Sequence, residues 1–216
     1  MRLLAVLGMF AAVTAVAVAA PSKEPKKVIK PAVQARAKRI SVQLKDLPGS
    51  GWKVKPSKPD QSSPHCSYYN PDQSKLTENA DYTSPDFTKA DGTYVSSSIG
   101  IFVSAAQGKT AFAAVVQPLL PRCLAEFVVK SGKTGQIKVR SAAALAFAAY
   151  GDKSAAYRVA FSVKSGKNLV PATIDLVAIN KGAVDAVVFF GSIGAPPSAQ
   201  FERKIVATVA GRIGTS

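Results

Sequence analysis

Histidine, tryptophan and cysteine are nearly missing from this sequence. Its 216 residues hold one His (His65), one Trp (Trp52) and two Cys (Cys66 and Cys123). Acidic residues are also scarce, 13 against 28 Lys and Arg, which leaves a net charge of +15. Each shortage removes a class of chemistry. A metal centre built from His and Cys has too few ligands, and no C-x-x-C spacing occurs. A Ser-His-Asp or Cys-His machine would have to use His65, which sits in a Pro- and Ser-rich stretch beside Cys66. The nucleophile elbow, Walker, H-E-x-x-H and EF-hand patterns are all absent. Gly49-Ser50-Gly51 has no strand–loop–helix context and reads as a turn. Neither a cofactor, nor a metal, nor a catalytic residue is expected. Beyond the first twenty residues no long apolar run occurs, so no later membrane span is expected.

What is present begins with an export signal. Arg2 precedes an apolar stretch from Leu3 to Ala19, closed by Ala17-Val18-Ala19-Ala20-Pro21. This reads as a secretory signal peptide over residues 1–19, cleaved after Ala19. The alternative is an uncleaved anchor, for which about 17 apolar residues is the short limit. The mature chain is expected to be secreted or associated with the cell envelope. In that oxidising setting Cys66 and Cys123 can pair in only one way. The closed loop would be worth about 4 kcal/mol in the chain-entropy model. Two buried free thiols are the alternative.

Charge is unevenly spread. Ser22 to Lys58 carries eleven basic and two acidic residues, a net +9 of the total +15. Residues 20–39 are rich in Pro, Lys, Arg and Ala, without a large apolar stripe, and read as a disordered basic arm. Such an arm can hold the protein near anionic envelope polymers, or simply act as a solvated linker. Nucleic acid is not an expected partner, because no aromatics interleave the basic residues for base stacking.

The folded domain is expected over residues 40–216. Strands are predicted over Asp81–Phe87 and Thr93–Val103, then Ile137–Ala149, Ser154–Lys164, Ala172–Asn180 and Val184–Gly191, with Gly-containing turns between the later ones. Ala105–Val129 has helical periodicity interrupted by Pro118 and Pro121, which predicts a break between Gln117 and Arg122. A last amphipathic helix carries Phe201, Ile205, Val209 and Ile213. The fold class is therefore α+β: an antiparallel sheet, a meander in its C-terminal half, packed against a broken central helix and a C-terminal helix.

Three stretches carry a family resemblance: DLPGSGW (Asp46–Trp52) with Cys66 after it, IGIFVSAAQGKTAFAAVVQPLLPRC (Ile99–Cys123), and LVAINKGAVDAVVFF (Leu176–Phe190) followed by a helix ending in AGRI (Ala210–Ile213). From Asp46 to Ile213 the chain resembles the actinobacterial exported family of the extracellular sensor domain of PknH-type serine/threonine kinases. The resemblance implies an antiparallel sheet flanked by helices, with a central cleft for a small ligand. It departs from the family in allowing one disulfide where two are usual, and in having no kinase domain and no membrane helix after the signal. A signalling role does not carry over.

Candidate binding residues are aromatics and cations on loops. Trp52, Tyr68 and Tyr69, with Tyr82, can cover a sugar or lipid-like ligand, and Arg122, with Arg140 and Arg158, can clamp an anion. Trp52 can equally be a core plug, and Arg140 and Arg158 ordinary strand arginines. The cleft is expected between the sheet and the helix break at Pro118–Pro121. Asp72, Glu78, Asp81, Asp86 and Asp91 cluster in the loop-rich region and could serve a carbohydrate hydrolase, or simply turns and solubility. The chain therefore reads as an exported, non-catalytic ligand- or envelope-binding module. A carboxylate hydrolase and a structural envelope protein are the alternatives.

Overall fold

Two tight hairpins organise the C-terminal half of the sheet. The computed structural model describes residues 24–57, 66–131 and 136–215. The signal segment 1–19, residues 20–23 and His65 lie outside the described residues. In chain order the elements are β1 (Lys26–Lys27), α1 (Pro31–Ile40), a 3₁₀ turn (Leu44–Asp46), β2 (Lys53–Lys55), β3 (Thr77–Thr83), β4 (Asp86–Thr88) and β5 (Tyr94–Phe102). Then follow α2 (Ala105–Val115), α3 (Leu120–Ser131), β6 (Ile137–Ala144), β7 (Lys153–Ser165), β8 (Asn168–Lys181), β9 (Val184–Ile193) and α4 (Ala199–Thr215).

β7 pairs with β8 from Lys153↔Asn180 to Ser165↔Asn168, and β8 with β9 from Ala172↔Ile193 to Lys181↔Val184. Gly166 and Gly182 open the two-residue loops with φ of +63° and +58°. No described non-glycine residue has positive φ, so both loops follow the type II′ pattern that matches strand twist. The sheet order is β1-β3-β5-β9-β8-β7-β6. β3 and β4 share one edge of β5, and β2 adds to β4. All pairs are antiparallel except β1 with β3. The α+β class and the meander are as the periodicity predicts.

Alternation along the strands gives the sheet two apolar faces. One packs Ile99, Val177, Ile179, Val188 and Phe190 against Ile40 of α1 and Ile205 and Val209 of α4. The other packs Val159, Phe161 and Leu176 against Phe112 of α2 and Leu120, Cys123 and Leu124 of α3. The predicted helix break is present: α2 and α3 meet at 66°. Pro118 lies in the break and Pro121 in the first turn of α3, where a missing N–H costs no helical bond.

Three expectations need correction. Residues 24–39 are not an unstructured arm. β1 pairs with β3, and α1 buries Ala37 and Ile40 completely. Gln34 fixes α1 by bonding both the N–H and the C=O of Asp81. The apolar stripe is narrow, Val33, Ala37 and Ile40, and it counts only because β5 and α4 offer a surface. The folded part thus begins before residue 40. The strand expected over Asp81–Phe87 is divided at Ser84-Pro85, where Pro85 has no N–H to donate. The strand expected to reach Ala149 ends at Ala144, and Leu145, Phe147 and Tyr150 pack on the core from an irregular segment.

Candidate functional site

Cys66 and Cys123 are disulfide-bonded, with Cα atoms 5.7 Å apart, and tie the loop before β3 to α3. Cys66 and Tyr69 exchange both backbone hydrogen bonds, so the four residues Cys66–Tyr69 form a tight turn. Tyr69 is buried and its hydroxyl donates to the carbonyl oxygen of Val115, the last residue of α2, at 2.7 Å. Burial holds its phenol well above the ordinary range. The Arg122 guanidinium lies 4.4 Å from the centroid of the Tyr68 ring. The Tyr68 hydroxyl donates to Glu126 at 2.9 Å. Hydrogen bonds from Lys130 and then Tyr68 lower the Glu126 carboxyl.

Tyr68, Tyr69 and Arg122 therefore gather at the disulfide, with the two tyrosine hydroxyls bonded to α3 and α2 and the Arg122 guanidinium over the Tyr68 ring. Trp52 is not with them. It stacks on Phe201 of α4 at 6.3 Å, carries Lys89 over its ring, and donates to the carbonyl oxygen of Pro48. It belongs to the opposite face of the sheet.

A groove of about 650 Å³ lies on that same face, at the C-terminal end of α1. Its apolar lining comes from Val42, Leu44, Val54, Pro85 and Phe87, with Tyr82 from β3. Val42 is held by its N–H donating to Ser97 Oγ at 2.9 Å. Leu44 and Val54, by contrast, are 48% and 49% exposed, unusually open for large apolar side chains. Lys38 and Arg39 stand at the edge. Among the described residues neither has an ion-pair partner. The nearby Asp46 is taken by Arg212 of α4. Among the described residues the lining contains no carboxylate, imidazole or thiol. α1 contributes Ala35, Lys38 and Arg39 to this groove, and it lay in the segment read as an arm, so its cations were legible in the sequence and their placement was not.

The carboxylates weighed for hydrolysis are dispersed. Asp72 and Asp91 accept from Ser74 and Thr93 in turns, Asp81 pairs with Lys27 at 2.5 Å, and Asp86 accepts from Tyr94. Glu78 is buried, and burial followed by Asp81 pushes it up to about 8. One carboxylate pair escaped the sequence reading, Asp175 of β8 and Glu202 of α4. Arg158 of β7 binds Asp175 through Nε at 2.7 Å and Nη2 at 2.5 Å, and lies 3.9 Å from Glu202. Burial, then Asp175, pushes the Glu202 carboxyl well above the ordinary carboxylate range. Both carboxylates are sealed under α4, with 0% and 1% exposure, out of reach of a substrate. Arg140, for its part, donates to Ser162 Oγ.

No family model and no curated protein matches the chain. Among solved structures it is similar to LpqN, described as involved in cell envelope biogenesis of Mycobacterium tuberculosis, at 9% identity over 75% of each chain with a TM-score of 0.33. That likeness is too distant to carry an argument.

Proposed function

We propose that the chain is an exported, non-catalytic module that binds an apolar ligand in the groove at the end of α1. The observation that carries this reading is the groove itself. Its volume lies in the usual range for ligand sites, and two large apolar side chains stand open at its mouth. Its described lining supplies polar contacts and shape, with no carboxylate or imidazole to act as an acid–base pair. The disulfide and the signal-like first nineteen residues support an oxidising, extracytoplasmic setting. This reading moves the binding surface away from the helix break, where Tyr68 and Tyr69 tie the Cys66–Tyr69 turn to α3 and α2 and Arg122 lies over the Tyr68 ring.

Native mass spectrometry of the full chain from its own host, followed by titration with an environment-sensitive apolar dye, tests the proposal. The double variant Leu44→Asp/Val54→Asp changes only exposed positions and should leave the fold intact. It should abolish a co-purifying mass and the dye signal. Full binding by this variant, or no binding by the parent chain, would overturn the reading.

A further inference from the structure

We infer that the ligand of this groove is an amphiphile with an acyl chain and an anionic head group, the chain lying along the apolar lining and the head meeting Lys38 and Arg39. The inference rests on the binding-module reading above and adds the chemistry of the occupant.

The apolar half follows from Leu44 and Val54. Both stay about half exposed beside buried Val42 and Phe87, so a continuous apolar strip runs from the core to solvent. A flexible chain laid on that strip removes water from both surfaces.

The cationic half depends on what Lys38 and Arg39 do not do. Basic residues in the last turn of a helix ordinarily serve its free carbonyls. Here three of the last four carbonyls already have donors. Ala37 C=O accepts from Ser41 N–H, Lys38 C=O from Ser41 Oγ, and Arg39 C=O from Gln43 Nε2. Even Ser41 C=O is met, by Arg212. Nor, among the described residues, do the two cations neutralise an acid, since Arg212 holds Asp46 and Lys27 holds Asp81. Two adjacent positive charges are thus left beside an apolar strip with no carboxylate among its described lining residues. An anion tethered to a hydrocarbon chain complements both halves at once, and a carboxylate or a phosphate monoester head would serve equally.

The test uses the full chain and monomeric amphiphiles below their micelle-forming concentration. Dodecyl phosphate and dodecanoate are the anionic probes, dodecyl maltoside is the neutral probe, and inorganic phosphate is the head alone. Both anionic probes should bind more tightly than the neutral one, and inorganic phosphate only weakly. Lys38→Gln/Arg39→Gln should weaken the anionic probes by at least about tenfold and leave the neutral one unchanged, as loss of charge-assisted hydrogen bonds requires. Both positions are exposed, and an unchanged melting temperature of the variant confirms its fold. A preference for only one anionic probe keeps the inference and names the head. Equal affinity for charged and neutral probes, or no effect of the double variant, overturns the head-group assignment while the apolar groove stands. Binding to phosphatidylglycerol vesicles without binding to any monomer overturns the inference in favour of a membrane surface. Failure of every amphiphile overturns both readings together.

Discussion

Arg212, near the end of α4, grips the Asp46 carboxylate with both terminal guanidinium nitrogens, across 166 positions of sequence. The same guanidinium donates to Ser41 C=O at 2.9 Å, and Asp46 also accepts from Gln43 N–H at 2.8 Å. One cation therefore fixes the segment Ser41–Asp46, which forms a wall of the groove. Asp46 is 5% exposed, so removal of its carboxylate leaves a partly buried guanidinium without its charge partner there. Asp46→Ala should lower unfolding stability by about 2–4 kcal/mol. Denaturant titration checks this, and a loss below about 0.5 kcal/mol would show that the pair is only a surface contact.

Ile40 is the sharpest test of the N-terminal segment. An unstructured arm would tolerate its truncation, whereas this side chain is fully buried between the sheet and α4. Ile40→Ala should cost about 2–4 kcal/mol through lost contacts and the cavity left behind. Lys30→Ala, at an exposed position before α1, should fall within about 0.5 kcal/mol. Equal, small effects of both would restore the arm.

The Cys66–Cys123 bond closes a separation of 57 residues. Thiol labelling of the unfolded, unreduced protein should find no free thiol at either position. Cys66→Ser/Cys123→Ser should lose about 4 kcal/mol by the chain-entropy estimate, as constraint on the unfolded chain disappears. Labelling of both residues without reductant would mean that the bond does not form in the protein as isolated.

Stability should fall as pH rises from 5 to 8. Glu202, Glu78 and Asp185 are pushed up to about 9, 8 and 7, each first by burial. Unfolded, all three ionise near pH 4. Above that pH the unfolded chain has released protons that the folded chain still holds. The stabilising effect is complete below about pH 4 and is lost as pH climbs through the folded values, at about 1.4 kcal/mol per unit for each retained proton. Around Glu202 the facing groups are Asp175 and Arg158. Glu202→Gln keeps a donor toward Asp175 and removes one titration. Its melting temperature relative to the parent should therefore rise steadily from pH 5 to pH 8. A difference that does not change with pH would show that Glu202 is ionised in the folded protein.

Local chemistry in the sequence determined several things. Strand alternation and the turn glycines Gly166 and Gly182 specify the β7–β9 meander, because period-two burial and positive φ are properties of a few adjacent residues. Pro118 and Pro121 specify the break between α2 and α3, because a missing N–H acts within one helical turn. With only two cysteines, their partnership was also readable. Other features were decided only by tertiary structure. Ala37 and Ile40 make too narrow a stripe to mark a helix until β5 and α4 provide an apolar surface for it. Arg212 and Asp46, or Glu202 and Asp175, become partners because separate elements stack on one face of the sheet, and nothing in their neighbouring residues records that. Tyr68 and Tyr69 looked like ligand contacts because a loop aromatic is ambiguous on its own; the packing of α3 turned one toward Arg122 and buried the other. The groove has the same origin. Lys38, Leu44, Val54 and Phe87 are unremarkable apart, and only the docking of α1 beside β2, β3 and β4 brings their charge and apolar surface to one place.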